Sequence, residues 1–156
     1  MQQAATLTPD RQLVIERVFD APRELVFKAW TRVEYIVRWW GPDDFSVPFC
    51  ELDFRVGGKY RFCMCSPNGE NHWVFGEYKE IVEPELIVFT WNREQDDGVV
   101  WCRNDVSIRL DEIGNKTKLR LHQFEFENVD GRDDHGEGWG QCLNRLYQFV
   151  NELKHS

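Results

Sequence analysis

The stretch GWGQCLNRLYQFVNEL, Gly138 to Leu153, decides the fold. Trp139, Leu143, Leu146, Val150 and Leu153 recur every three to four residues, and Cys142 and Phe149 widen the stripe. That is the period of a long amphipathic helix. At ~1.5 Å per residue, about 20 residues reach ~30 Å, enough to cross the face of a sheet. The helix is expected to begin between Asp130 and Gly136, where Asp130, Asp133 and Asp134 suit the positive end of the helix dipole. Gly138 and Gly140 each cost ~1 kcal/mol against alanine inside a helix, which points to close backbone approach around Trp139.

Working back from this helix, the chain reads as strands. QLVIERVF, Gln12 to Phe19, alternates as a first strand. Asp20-Ala21-Pro22 then reads as a helix start, with Asp20 as the cap. Leu25, Val26, Ala29 and Trp30 follow at helical spacing. A second short helix, Val33 to Trp39, ends at Trp40 and is stopped by Gly41-Pro42. Successive helical residues point ~100° apart. Trp39 and Trp40 must therefore serve different surroundings: Trp40 is placed inward, and Trp39 over a cavity entrance or the surface.

From Phe45 the pattern changes to period two. Phe45, Val47 and Phe49 alternate, then Tyr60, Phe62 and Met64, then Trp73 and Phe75. Val56-Gly57-Gly58, Ser66-Pro67-Asn68-Gly69, Glu83-Pro84-Glu85, the polar loop around Gln95-Asp96-Asp97-Gly98 and Ile113-Gly114-Asn115 mark the turns. Such short connections favour an antiparallel meander. A sheet with one apolar face must bury it, and the long helix is the large apolar partner. The expectation is one α+β domain over residues 12–155, preceded by a flexible tail at residues 1–11. A curved antiparallel sheet of about six to seven strands wraps around the C-terminal helix, with two short helices after the first strand.

The formal charge of −8 repels nucleic-acid backbones and anionic membranes, so neither is an expected partner. No apolar run approaches the ~20 residues that span a bilayer. The N-terminus lacks the basic and apolar regions of a signal peptide. The five cysteines, Cys50, Cys63, Cys65, Cys102 and Cys142, read as reduced thiols of a cytoplasmic protein. They lack zinc spacing, so no metal or other cofactor is expected.

VFDAPRELVFKAWT, the WWGP motif, VPFCELDFRVGGKYRF and HGEGWGQCLNRL together resemble the SRPBCC superfamily, also called START-like or Bet v 1-like. Within it the match is to the branch named after the activator of the ninety-kilodalton heat-shock-protein ATPase. The resemblance runs from about Gln12 to Leu153. It implies a helix-grip fold and a hydrophobic cavity between sheet and C-terminal helix. Superfamily members bind lipids, hormones or polyketides, and a few are cyclases or hydrolases. Function must therefore be argued from the site.

If Val106, Ile108, Leu119 and Leu121 face the helix, alternation puts Cys102, Asn104, Gln123 and Glu125 on the same concave side. Apolar walls with a few convergent polar groups describe a small-molecule site. Trp40, Phe49, Phe62, Met64, Trp73, Phe75, Trp139 and Leu143 are the further candidate walls. His122 is expected on the convex face, His72 at a strand end, and His135 as a cap of the last helix. Glu51 and Asp53 read as solvated charges, paired with Arg55 or Arg61. No catalytic residue is assigned, because no nucleophile motif, phosphate loop or metal motif is present.

Three readings follow. The first is binding of a small hydrophobic or amphipathic molecule by a monomer or homodimer. The second is a cyclase- or hydrolase-like enzyme in the same cavity, which needs titratable groups inside it. The third is a protein-interaction or co-chaperone-like domain, which needs Trp91 and Trp101 exposed in one patch.

Overall fold

Alternation along seven strands builds one antiparallel sheet in the order β1-β7-β6-β5-β4-β3-β2. The strands are β1 (Gln12–Phe19), β2 (Ser46–Leu52), β3 (Lys59–Cys65), β4 (Asn71–Val82), β5 (Leu86–Glu94), β6 (Val100–Ile113) and β7 (Lys116–Phe124). Strands β2 to β7 form the meander, and β1 closes on β7. The helices are α1 (Arg23–Ala29), α2 (Val33–Trp39) and α3 (Val129–Lys154). The structure, a computed structural model, describes residues 11–94, 98–124, 126 and 129–155, with backbone alone at 101, 102, 129 and 130. Residues 1–10, the loop at 95–97, Glu125 and the side chains of Trp101 and Cys102 lie outside the described residues.

The curved sheet grips α3. Cys142, Leu143, Leu146, Phe149 and Val150 are buried on the helix side. Val106, Ile108, Leu119 and Leu121 are fully buried on the sheet side. Each such side chain contributes about 1.5–3 kcal/mol by leaving water. This face was legible because β6 and β7 alternate strictly and their register pairs Ile108 with Leu121.

β2 and β4 depart from the expected faces. In β2, Ser46 pairs with Cys65 but Phe49 pairs with Cys63, so one extra residue enters β2 between them. Such a bulge reverses the side-chain alternation. Phe49 therefore turns away from the core and is 38% exposed. In β4, Phe62 stands opposite Val74, and Cys63 opposite Trp73. Residues directly opposite share a face. Phe62 thus faces inward with Val74, and Trp73 and Phe75 face outward. Arg61 covers them there, its guanidinium 4.4 Å from the Trp73 ring centre and 5.8 Å from that of Phe75. Arg61 also pairs with Glu94. Phe49, Trp73 and Phe75 form an outer aromatic strip and do not wall an interior space.

At the start of α1 the N-cap is Pro22, with no side-chain cap. Asp20 instead meets the other end of α3: Lys154 Nζ donates to its carbonyl at 2.8 Å and lies 3.6 Å from its carboxylate. Gly138 and Gly140 are not sites of tight approach. A Cβ there would lie 3.6 Å from Pro42 and 3.7 Å from Arg17, ordinary contacts. The tighter approach is at Gly136, where a Cβ would come 3.1 Å from Leu13.

Neither Trp39 nor Trp40 reaches the surface; they are 0% and 3% exposed. Trp39 Nε1 donates to Ala29 O at 3.1 Å and ties α2 back to α1. Gly41, at φ +99°, then turns the chain in a conformation that favours glycine.

Candidate functional site

A cavity of about 340 Å³ opens where the loop after α2, the sheet and the first turns of α3 meet. Small-molecule sites run from roughly 300 to 1,000 Å³. The loop contributes Trp40, Gly41, Pro42 and Phe45. The sheet contributes Met64 from β3, His72 from β4, and Trp91 and Arg93 from β5. Helix α3 contributes Asp134, His135, Gly138, Trp139 and Cys142.

Three indoles form the inner wall. Trp40 lies 6.1 Å from Trp91 and 5.5 Å from Trp139 by ring centres, and Trp91 lies 5.2 Å from Trp139. Two buried hydrogen-bond chains fix them. Trp139 Nε1 donates to Gln123 Oε1 at 2.8 Å, and Gln123 Nε2 donates to Asn104 Oδ1 at 3.0 Å. Trp91 Nε1 donates to His135 Nε2 at 3.3 Å, and His135 Nδ1 lies 2.9 Å from Gly131 O.

The second chain fixes the chemistry of His135. An indole N–H only donates, so His135 Nε2 must accept. A carbonyl only accepts, so the proton sits on Nδ1. Burial, the main cause, lowers the His135 pKa and keeps the ring neutral. Both nitrogens are committed, so the ring has no lone pair to offer as a general base. Cys142 is equally inert: burial pushes its thiol up to about 12, and thiolate chemistry needs the opposite shift.

A pH dependence follows. Below the ordinary histidine value of 6.5, the unfolded chain takes up a proton at residue 135 that the folded chain refuses. Stability present above that value is lost as the pH falls to the lowered folded value. His135→Gln can keep both hydrogen bonds without titrating. Between neutral and mildly acidic pH, wild type is expected to lose more stability than His135→Gln in urea unfolding. Parallel losses in the two proteins would refute the assignment. His122, whose pKa burial also lowers, supplies the common background.

Of the candidate wall residues, Trp40, Met64 and Trp139 line the cavity. Asn104 and Gln123 face the helix as expected, but they sit behind Trp139 and orient it. Val106, Leu121 and Leu143 are buried packing residues, and Phe62 borders a separate void of about 10 Å³ behind Trp40. Phe49, Trp73 and Phe75 lie on the outer face. Glu125 and the Cys102 side chain fall outside the described residues.

His135 is no helix cap, because α3 begins at Val129 and carries it into the second turn. His72 lies near the start of β4 and reaches the cavity, its ring centre 5.7 Å from that of Phe45. His122 sits on the outer face of β7, bonded to Gln12 at 2.8 Å. Asp53 pairs with Arg55, both exposed. Simple offsets could have found the missed residues. His135 precedes Trp139 by one helical turn, Arg93 follows Trp91 by two strand positions, and His72 precedes the inward Val74 by two. Among the described residues, no three His, Cys, Asp or Glu side chains gather as a cation site. No helix among them is long and apolar enough to cross a membrane.

The family described as Activator of Hsp90 ATPase homolog 1-like protein matches residues 20–151. Among solved structures, an AHSA1 protein from Silicibacter pomeroyi aligns with a TM-score of 0.83 at 26% identity, covering 90% of this chain and 97% of that one. A Chromobacterium violaceum protein aligns with a TM-score of 0.79 at 25% identity, covering 90% and 96%. A Nitrosomonas europaea protein aligns with a TM-score of 0.80 at 20% identity, covering 96% and 100%, and this likeness speaks to the fold alone. No curated protein matches the chain.

Proposed function

The chain belongs to the Activator of Hsp90 ATPase homolog 1-like family, within the SRPBCC superfamily, and from that premise we propose that it binds a small hydrophobic or amphipathic molecule between its sheet and α3. The observation that carries this reading is the cavity of about 340 Å³ walled by Trp40, Trp91 and Trp139. Apolar walls supply the binding energy, and the few polar groups at the mouth set orientation. The thiols of Cys50, Cys65 and Cys142, which form no disulfide, support a cytoplasmic, reducing location for this activity.

The other two readings lack such an observation. Catalysis in this cavity needs an available base or nucleophile; His135 and Cys142 offer neither, which leaves His72 and Asp134 of the lining as the residues such a reading would have to use. A surface patch built on Trp91 has no basis, since that ring is 4% exposed and points inward.

The test is a thermal-shift and tryptophan-fluorescence screen of aromatic and lipid-like compounds, with native mass spectrometry of freshly purified protein. A ligand at a hundred times its Kd stabilises the folded state by about 2.7 kcal/mol. Binders are expected to raise the melting temperature and to change the fluorescence of the wall indoles. A broad panel that leaves both signals unmoved, with no co-purified mass, would sink the reading.

A further inference from the structure

We infer that the molecule held in this cavity carries a carboxylate or similar small oxyanion on an apolar body, and that Arg93 receives it. The inference rests on the binding reading above and names the class of ligand.

Arg93 stands two residues beyond Trp91 on β5, on the same inward face, and both line the cavity. Its direct neighbour across the sheet is Val74, an inward residue. The Arg93 Nε is fully enclosed by protein. The residue as a whole is half-buried, so its positive charge is anchored at the wall and partly sheltered from water. The carboxylate that also lines the cavity, Asp134, is on the exposed side of α3 and stays in water. Of the two charges, the positive one lies where the surroundings screen it least.

The histidines do not reverse this. His135 is held neutral by its two hydrogen bonds. Burial is the main cause of its depressed pKa, and of the two charges that act on it Arg93 lowers it more than Asp134 raises it. His72 precedes Val74 by two residues, which puts it diagonally beside Arg93 on the inward face. The chain's overall charge of −8 is no obstacle once a ligand is inside. Surface charge is screened by salt over about 10 Å, and a partly buried charge is screened less.

The guanidinium suits the task. It has five N–H donors in a planar fork that matches both oxygens of a carboxylate. Five donors leave capacity for a ligand beside the contacts Arg93 makes within the protein. A neutral amide of the same shape can use that fork only in part, and an ammonium would be repelled by it.

Three probes sharing one ring system separate the alternatives: naphthoate, naphthamide and naphthylmethylamine, titrated by tryptophan fluorescence and calorimetry. Wild type is expected to bind naphthoate about tenfold more tightly than naphthamide, the factor one charge-assisted hydrogen bond carries. Naphthylmethylamine should bind most weakly. Arg93→Gln is expected to erase the preference for the acid, and Arg93→Lys to keep part of it, each checked for a native near-ultraviolet spectrum. Equal binding of acid and amide by wild type overturns the inference and leaves the cavity reading standing. So does a preference for the acid that survives in Arg93→Gln. Binding of none of the three overturns both.

Discussion

Replacing Gly76 by alanine is expected to destabilise the protein by about 3 kcal/mol, at the top of the range for forcing an extra carbon into a packed interior. The reason is a backbone contact. A Cβ at Gly76 would sit 2.1 Å from the carbonyl oxygen of Thr90. That oxygen is already in use. Tyr60, whose register partner across β3 and β4 is Gly76, donates its phenol to Thr90 O at 2.6 Å. The Thr90 hydroxyl accepts from the Glu77 N–H at 2.9 Å. Burial holds the Tyr60 phenol well above its ordinary pKa, so it stays a donor. Moving Thr90 to admit a Cβ would break these bonds and strand a buried phenol. Glycine in a strand interior often marks such close approach of another backbone. Gly140→Ala is the contrasting substitution. A Cβ there makes ordinary contact and removes a helical glycine, so a gain of up to ~1 kcal/mol is expected. Urea midpoints of the two variants should move in opposite directions. A Gly76→Ala protein within about 1 kcal/mol of wild type would show that β5 yields more easily than packed backbone should.

The same comparison separates what the chain announces locally from what only assembly decides. The faces of β6 and β7 were legible because polar and apolar residues alternate there and one face alone is buried. Even the buried Asn104 and Gln123 came out on the right side, since parity does not depend on polarity. Helix α3 was legible because its stripe persists through many turns. β4 was not, because Trp73 and Phe75 make its outer face as apolar as the inner face of Val74 and Tyr78. Alternation then has two equal solutions, and the register with Phe62 chooses between them. β2 failed for another reason: one inserted residue reverses every later side chain, and no composition marks where it goes.

The cavity mouth was the least legible part. Its residues come from five separate stretches, and a histidine near the start of a helix has an ordinary explanation as a cap. What makes His135 a wall residue is Trp91, 44 positions away along the chain. Trp39 misled in the opposite direction. Adjacent tryptophans must diverge, which places one over a cavity entrance or the surface, but α1 supplies a second interior environment. There Trp39 packs 4.7 Å from Trp30 by ring centres.

Removal of the Arg145 guanidinium is expected to have the second large effect, and to act on the cavity as well as on stability. Arg145 projects from α3 onto the turn that follows α2. Its Nη1 donates to the carbonyls of Trp40, Gly41 and Pro42 at 3.2, 3.0 and 2.9 Å. Carbonyls at a helix C-terminus lack partners within the helix, and a cation is their best external one. Gln141, one turn earlier, fastens the same segment by accepting from the Asp43 N–H at 2.9 Å. The loop that carries Trp40, Gly41 and Pro42 into the cavity wall is thus bolted to the helix that carries Trp139. Arg145→Met keeps the aliphatic stem and deletes the donor. It is expected to cost about 2–3 kcal/mol, the worth of hydrogen bonds from a charged group. Arg145→Lys should recover part of this, because an ammonium can reach the carbonyls without the planar fork. The expected signature is local: amide exchange at residues 40–45 should accelerate more than in the strands of the sheet. Wall fluorescence from Trp40 should change with it, and ligand affinity should fall even where the protein remains folded. A uniform loss of protection, with affinity unchanged in the folded fraction, would mean that Arg145 supports the core in general and does not set the shape of the cavity mouth.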